Sequence, residues 1–141
     1  MIGYLDTSAF VPLLVEEPTS TACRRFWDDA DTLVSTRLLY VETSAALALA
    51  QRIGRLGPGR LDRCRSVLEE LWQAVEVLEL DGDLMRAASR HAGDHALRGY
   101  DAVHCAAAWL VNDADVVAAS GDRQLLTAWS NLGVTTYDTT G

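Results

Sequence analysis

Short β-branched runs alternate along the chain with longer stretches of helical spacing. Five runs read as strands: Ile2–Leu5, Thr32–Ser35, Val75–Leu80, Val116–Ala119 and Val134–Tyr137. The intervening stretches read as helices over Ser8–Val15, Thr19–Asp29, Leu38–Ile53, Arg60–Ala74, Gly82–His95, Asp101–Val111 and Arg123–Asn131. The triplet Gly57-Pro58-Gly59 breaks two of them apart. Strand, helix, strand, helix predicts an α/β fold, a central parallel sheet covered by helices. No linker, repeat or low-complexity segment interrupts it, so residues 1–141 read as a single domain. Open parallel sheets gather ligands at the carboxyl ends of their strands. Residues that directly follow a strand are therefore the first candidates for chemistry.

Acids stand at those places. Asp6 follows the first strand, and Asp122 follows Val116–Ala119 within Ser120-Gly121-Asp122. Each also precedes a helix, where Asp is a favoured N-cap, and capping alone would account for either. Asp101 opens the predicted Asp101–Val111 helix after Arg98-Gly99-Tyr100, so capping would account for it too. Glu42 escapes that explanation, because it lies inside the Leu38–Ile53 helix. At helical spacing it shares a stripe with Leu38, Ala45, Leu49 and Ile53. A bare carboxylate there is costly. It must be protonated, paired with an arginine or bound to a cation. Together the four acids could converge in one pocket. Two unit charges about 4 Å apart repel by about 4 kcal/mol at an effective dielectric near 20. A cluster of this kind needs a compensating charge, and all-oxygen ligands select hard ions such as Mg²⁺ or Mn²⁺. Such ions activate water and stabilise a phosphodiester leaving group.

Composition narrows the picture. The net charge of −8 argues against indiscriminate nucleic-acid binding. All 12 basic residues are arginine. Arg52, Arg55, Arg60, Arg63 and Arg65 fall close together against the single acid Asp62, a local net of +4. The stretch reads either as a solvated helix face or as an arm that contacts phosphate, since Arg bonds phosphate in bidentate fashion. Cys23, Cys64 and Cys105 form no CxxC pair and read as small buried hydrophobes of a cytoplasmic protein. No apolar run approaches the roughly 20 residues of a membrane span, and no secretory leader pattern opens the chain. Neither GxGxxG nor GxxxxGK[ST] occurs. A phospho-receiver domain would need a lysine that the chain lacks. His91 and His95 share a helix face, but without the HExxH glutamate a metal pair there is disfavoured. His104 lies one turn from Asp101 and is expected to be packed or hydrogen-bonded.

Three stretches taken in order, LDTSA at Leu5–Ala9, LRGYDAVHCAAA at Leu97–Ala108 and SGDRQL at Ser120–Leu125, resemble the PIN-domain family, and within it the VapC-type toxins. The resemblance spans essentially the whole chain, with the helix glutamate between the first two stretches. It implies a three-layer α/β/α fold with a central parallel sheet, and a Mg²⁺- or Mn²⁺-dependent endoribonuclease. By position, Asp6, Glu42, Asp101 and Asp122 match the family's four acids. Asp6 and Asp101 match the direct metal ligands. Glu42 and Asp122 match acids that complete the site through water or hold a second ion, and Thr7 and Ser120 match its supporting hydroxyls. Gly121 departs from the bulkier residue common in the family, which predicts a looser loop before Asp122. The resemblance further implies an RNA substrate, a cognate VapB-like antitoxin that inserts a basic side chain into the pocket, and a homodimer. Trp27, Trp72, Trp109 and Trp129 are then expected mostly in the core. The competing reading is a non-catalytic PIN-like module that binds RNA or protein, against which the presence of all four acids argues. Relatives that cut branched DNA carry extra helices and acids for which the chain has little room.

Overall fold

The first strand takes the middle of the sheet. In a computed structural model that describes all residues from Met1 to Gly141, five strands pair in parallel in the order β3-β2-β1-β4-β5. They are β1 (Ile2–Leu5), β2 (Thr32–Thr36), β3 (Val75–Leu78), β4 (Val116–Ser120) and β5 (Thr135–Asp138). Seven α-helices connect them: α1 (Thr7–Phe10), α2 (Ser20–Asp29), α3 (Leu38–Arg52), α4 (Arg60–Trp72), α5 (Gly82–Asp94), α6 (Gly99–Leu110) and α7 (Arg123–Asn131). The chain leaves β1 toward β2 on one side and returns to β4 on the other. The crevice between β1 and β4 is thus the topological switch point, where open α/β sheets place their sites.

Alternation along the strands divides the core in two. Tyr4, Val34 and Ala118 face one side and pack with α5, α6 and α7 around Trp129, which has no exposed surface. Leu5, Leu33 and Ala119 face the other and pack with Phe10, Phe26, Leu39, Leu47 and Leu68 from α1 to α4. Helices thus cover both faces, the three-layer arrangement expected. Ala106, Ala107 and Ala108 are fully buried and let α6 approach the sheet closely. No helix is long and apolar enough to cross a membrane.

Several expectations need correction. The first helix is broken: α1 stops at Phe10 and a 3₁₀ turn follows at Val11–Leu13. Pro12, lacking an N–H, cannot continue the α ladder. The buried face of α3 is Leu39, Thr43, Leu47 and Ala50, while Leu49 and Ile53 are 49% and 61% exposed. Leu, Val and Ala occupy every side of α3, so its periodicity does not single out one stripe. Strand β3 ends at Leu78 rather than Leu80. Of the four tryptophans only Trp129 lies wholly in the core; Trp27 and Trp72 pack at its margin, and Trp109 is 37% exposed and packs on His91. All three cysteines are buried and unpaired, as expected.

Candidate active site

Parallel register builds the centre. Leu5 pairs with Ala119, and the Asp6 N–H continues the ladder to the Ala119 carbonyl at 3.3 Å. The next residues, Asp6 and Ser120, are thereby brought side by side. The Ser120 hydroxyl donates to Asp6 Oδ2 at 2.6 Å. Asp6 Oδ1 accepts from the Ser8 hydroxyl at 2.7 Å and from the Ala9 N–H at 3.0 Å, which makes Asp6 the N-cap of α1. Only 4% of Asp6 is exposed. Burial pushes its carboxyl up, against the opposing pull of His104 and the three donors.

Asp122 joins through the same serine. Its N–H donates to Ser120 Oγ at 2.9 Å, and its Oδ1 caps α7 by accepting from the Leu125 N–H at 3.1 Å. The loop before it is tied rather than loose. The Gly121 N–H donates to Ser8 Oγ at 2.7 Å, and a Cβ on Gly121 would come within 3.0 Å of Thr139 Oγ1. Thr139 and Ser8 fill the space that a bulkier residue would take.

Asp101 is not a cap. Helix α6 begins at Gly99 with Arg98 as N-cap, which leaves Asp101 in the first turn. Its protein partner is the Arg98 guanidinium, with Nε at 3.3 Å from Oδ2. Burial raises the Asp101 carboxyl most and the nearby Asp122 charge raises it further, while Arg98 and His104 oppose. That repulsion shows Asp101 and Asp122 to be electrostatic neighbours.

Glu42 reaches the same place from α3. It finds no arginine. Its Oε1 accepts from the Thr7 hydroxyl at 2.8 Å and meets His104 Nε2 at 2.7 Å; Oε2 has no protein partner. With Arg98, Gly99, Tyr100 and Asp101 it lines a cavity of about 430 Å³. A groove of similar size, about 440 Å³, lies between Arg37, Tyr40 and Trp72 and contains none of the four acids. Charge, rather than volume, therefore distinguishes the site.

Ser8 escaped the sequence reading, whereas His104 is packed and hydrogen-bonded as expected, with its Nδ1 2.7 Å from the Tyr4 hydroxyl; what the sequence did not show is its link to Glu42. A signal for its place near the acids was present. His104 stands three residues after Asp101 on one helix face, and Tyr4 lies in β1 two residues before Asp6, which follows the strand. The arginine segment is elsewhere. Ten residues of α3 separate Arg52 from Glu42, about 15 Å along the helix. Arg55 and Arg65 pair with Glu17 and Asp62, while Arg52, Arg60 and Arg63 are exposed without an ion-pair partner. His91 and His95 stack edge to face on α5, with no third donor group.

The donor set tests the fit of a cation. No three His, Cys, Asp or Glu side chains stand close enough together to hold a metal ion by themselves. Mg²⁺ does not require three, since it keeps several waters and takes one or two carboxylates. All four acids offer oxygen, Glu42 Oε2 lacks a partner, and Asp101 sits in a repulsive field that a cation would relieve. The residues fit an open, water-rich site for a hard divalent ion.

The PIN domain family matches residues 3–129. Ribonuclease VapC49 of Mycobacterium tuberculosis is 42% identical over 124 residues, covering 88% of this chain and 86% of that one. Among solved structures, VapC20 of the same organism, described as a toxin cleaving the sarcin-ricin loop, superposes with TM-score 0.67 at 19% identity, over 89% of this chain and 94% of its own. VapBC-5 of M. tuberculosis, a member of the VapBC family of toxin–antitoxin systems, superposes with TM-score 0.58 at 18% identity, over 97% and 98%. A family match over nearly the whole chain and a close relative of nearly equal span place it: this chain belongs to the PIN-domain family, in its VapC branch.

Proposed function

We propose that the chain is the ribonuclease toxin of a toxin–antitoxin pair, and that it hydrolyses RNA phosphodiesters with Mg²⁺ or Mn²⁺ held by its four acids. The convergence of Asp6, Glu42, Asp101 and Asp122 from four different elements carries the reading. The relatives support it: VapC49 is a ribonuclease by name and VapC20 is described as a sarcin-ricin loop cleaving toxin.

Asp6 and Asp101 would hold the ion, with Glu42 and Asp122 completing its surroundings through water. The cation, when bound, supplies the charge that polarises a water and stabilises the departing oxygen. The chain's own contribution is orientation. Ser120 fixes Asp6 against Asp122, Ser8 ties the loop that carries Asp122, and Thr7 fixes Glu42. Arg98 brings the one guanidinium on the cavity wall, next to where a phosphate would lie. Arg52, Arg60 and Arg63, exposed and unpaired, extend the contact along the RNA backbone, with Arg55 and Arg65 beside them. This reconciles a chain of net charge −8 with an acidic substrate.

The partner follows from the same electrostatics. A basic side chain from a VapB-like antitoxin would meet in this pocket the role that Arg98 already fills beside Asp101. A homodimer in the cytoplasm completes the proposal. Incubation of the purified chain with total bacterial RNA in Mn²⁺ or Mg²⁺ tests it, beside an EDTA control and Asp6→Asn. Discrete cleavage lost in both controls is expected. Cleavage that persists in EDTA sinks metal dependence; no cleavage despite Mn²⁺ binding turns the reading toward a binding role.

A further inference from the structure

We infer that His104, itself fixed by Tyr4, is a positioning residue for Glu42 and sets how well the acid site takes a divalent cation. The inference rests on the reading of Glu42 as a member of that site.

Tyr4 has no exposed surface and His104 only 1%. Tyr4 belongs to the core that holds Ala102, Ala106 and Ala118, and the His104 ring packs edge-on against the Tyr4 ring at 5.9 Å. A phenol and an imidazole are costly in such surroundings unless hydrogen-bonded. They satisfy each other at 2.7 Å, and the pair has a single outlet, Glu42 Oε1, also at 2.7 Å.

The bond to Glu42 has one direction whether the ring is neutral or charged, and the bond to Tyr4 has one direction in the neutral ring. An ionised carboxylate only accepts, so the hydrogen between His104 and Glu42 belongs to Nε2. In the neutral ring Nδ1 is then an acceptor, and the Tyr4 hydroxyl must donate to it. Trp129 packs edge-on against the Tyr4 ring at 5.9 Å and holds it.

The consequence falls on Glu42. Glutamate turns about three side-chain bonds and swings freely at a cavity wall. Here Oε1 is caught between His104 and Thr7, so Oε2 is the oxygen left for the cavity it shares with Asp101. Outer groups that orient an ion's ligands in this way are typically worth about 10–100-fold in metal affinity.

Calorimetric titration of the full chain with Mn²⁺ alone reads this without reference to any RNA. Gln places an amide nitrogen as many bonds from Cα as His Nε2, whereas Asn ends at the Nδ1 position and cannot reach Glu42. His104→Asn is expected to weaken Mn²⁺ binding by about tenfold or more, and His104→Gln to retain affinity within a few-fold. Equal loss in both, or loss in neither, overturns the inference. Glu42→Gln, titrated alongside, separates it from the reading beneath. If Glu42→Gln binds Mn²⁺ as the wild type does, Glu42 takes no part in the site and the inference falls with that reading. If Glu42→Gln is weakened and His104→Asn is not, the inference falls alone. Thermal melting checks that each variant folds. Should His104→Asn not fold, Tyr4→Phe removes the hydroxyl and keeps the ring: weaker binding is expected, and wild-type affinity overturns the chain.

Discussion

Asp122 carries two roles that substitution can separate. Its Oδ1 caps α7 by accepting from the Leu125 N–H, and its charge acts on Asp101. Asn caps a helix as well as Asp does, whereas Ala does not cap at all. Loss of an N-cap typically costs about 1 kcal/mol. For a domain of this size that lowers the melting temperature by about 4 °C. Asp122→Ala should therefore melt about 4 °C below the wild type in EDTA at neutral pH. Asp122→Asn should melt at or slightly above the wild type, because it keeps the cap and removes a charge that repels Asp101. Both variants should lose RNA cleavage by at least about tenfold, since neither restores the carboxylate. Scanning calorimetry beside the RNA assay checks both halves. An Asn variant as unstable as the Ala variant would refute the capping argument. An Asn variant that cleaves at the wild-type rate would remove Asp122 from the site.

Three further outcomes follow. The Asp6 carboxyl titrates higher in the folded chain than in the unfolded one, so between those two values the folded state holds the extra proton. The metal-free wild type should therefore lose stability relative to Asp6→Asn as pH rises through that window, and the difference should become constant below the unfolded value; a difference independent of pH throughout in urea titrations contradicts this. A Cβ on Gly3 would lie 2.9 Å from the ring of the buried Phe26 and 3.1 Å from Ala30 Cβ. Gly3→Ala is thus overpacked and should cost about 1–3 kcal/mol in urea unfolding, and an unchanged midpoint refutes the close packing. Arg60→Glu with Arg63→Glu should weaken RNA binding and flatten its salt dependence in filter-binding assays, while unchanged binding at both low and high salt removes the arm from the interface.

The order of elements was legible because each strand is a short β-branched run and each helix a longer periodic one. All five strands and all but the first helix fall where the pattern put them, within about two residues. What failed was rotation and detail. The face of α3 was misread because its residues are apolar on nearly every side, so that packing on α1 and α4 chose the orientation. The cap at Asp101 was misplaced because Gly99 and Tyr100 carry no helix-start signal of their own, and the chain begins to wind at Gly99 after an extended Arg98. Asp6 and Asp122 were legible as both caps and site candidates because position after a strand carries both meanings. His104 was visible only as an expected hydrogen bond. Its partners stand 100 and 62 residues away, and no spacing rule spans such separations.

Long-range partners also explain how the four acids are accommodated near the carboxyl end of the sheet. Asp6 is held by three donors, Glu42 by a hydroxyl and an imidazole, Asp122 by the N-terminus of α7 and Asp101 by Arg98. Each carboxylate thus has a neutral or cationic partner within the chain, which lets the crevice fold by itself. These partners differ in strength. Those of Asp6 and Glu42 are buried or part-buried, whereas Arg98 is 84% exposed, and an ion pair at such a position contributes little. Asp101 therefore has the most exposed partner of the four, while burial and, after it, the nearby Asp122 charge raise its carboxyl. The same weakness makes Arg98 displaceable. On the proposed reading, a divalent ion or a partner's guanidinium would take its place without disturbing a buried contact, at the loss of one exposed pair.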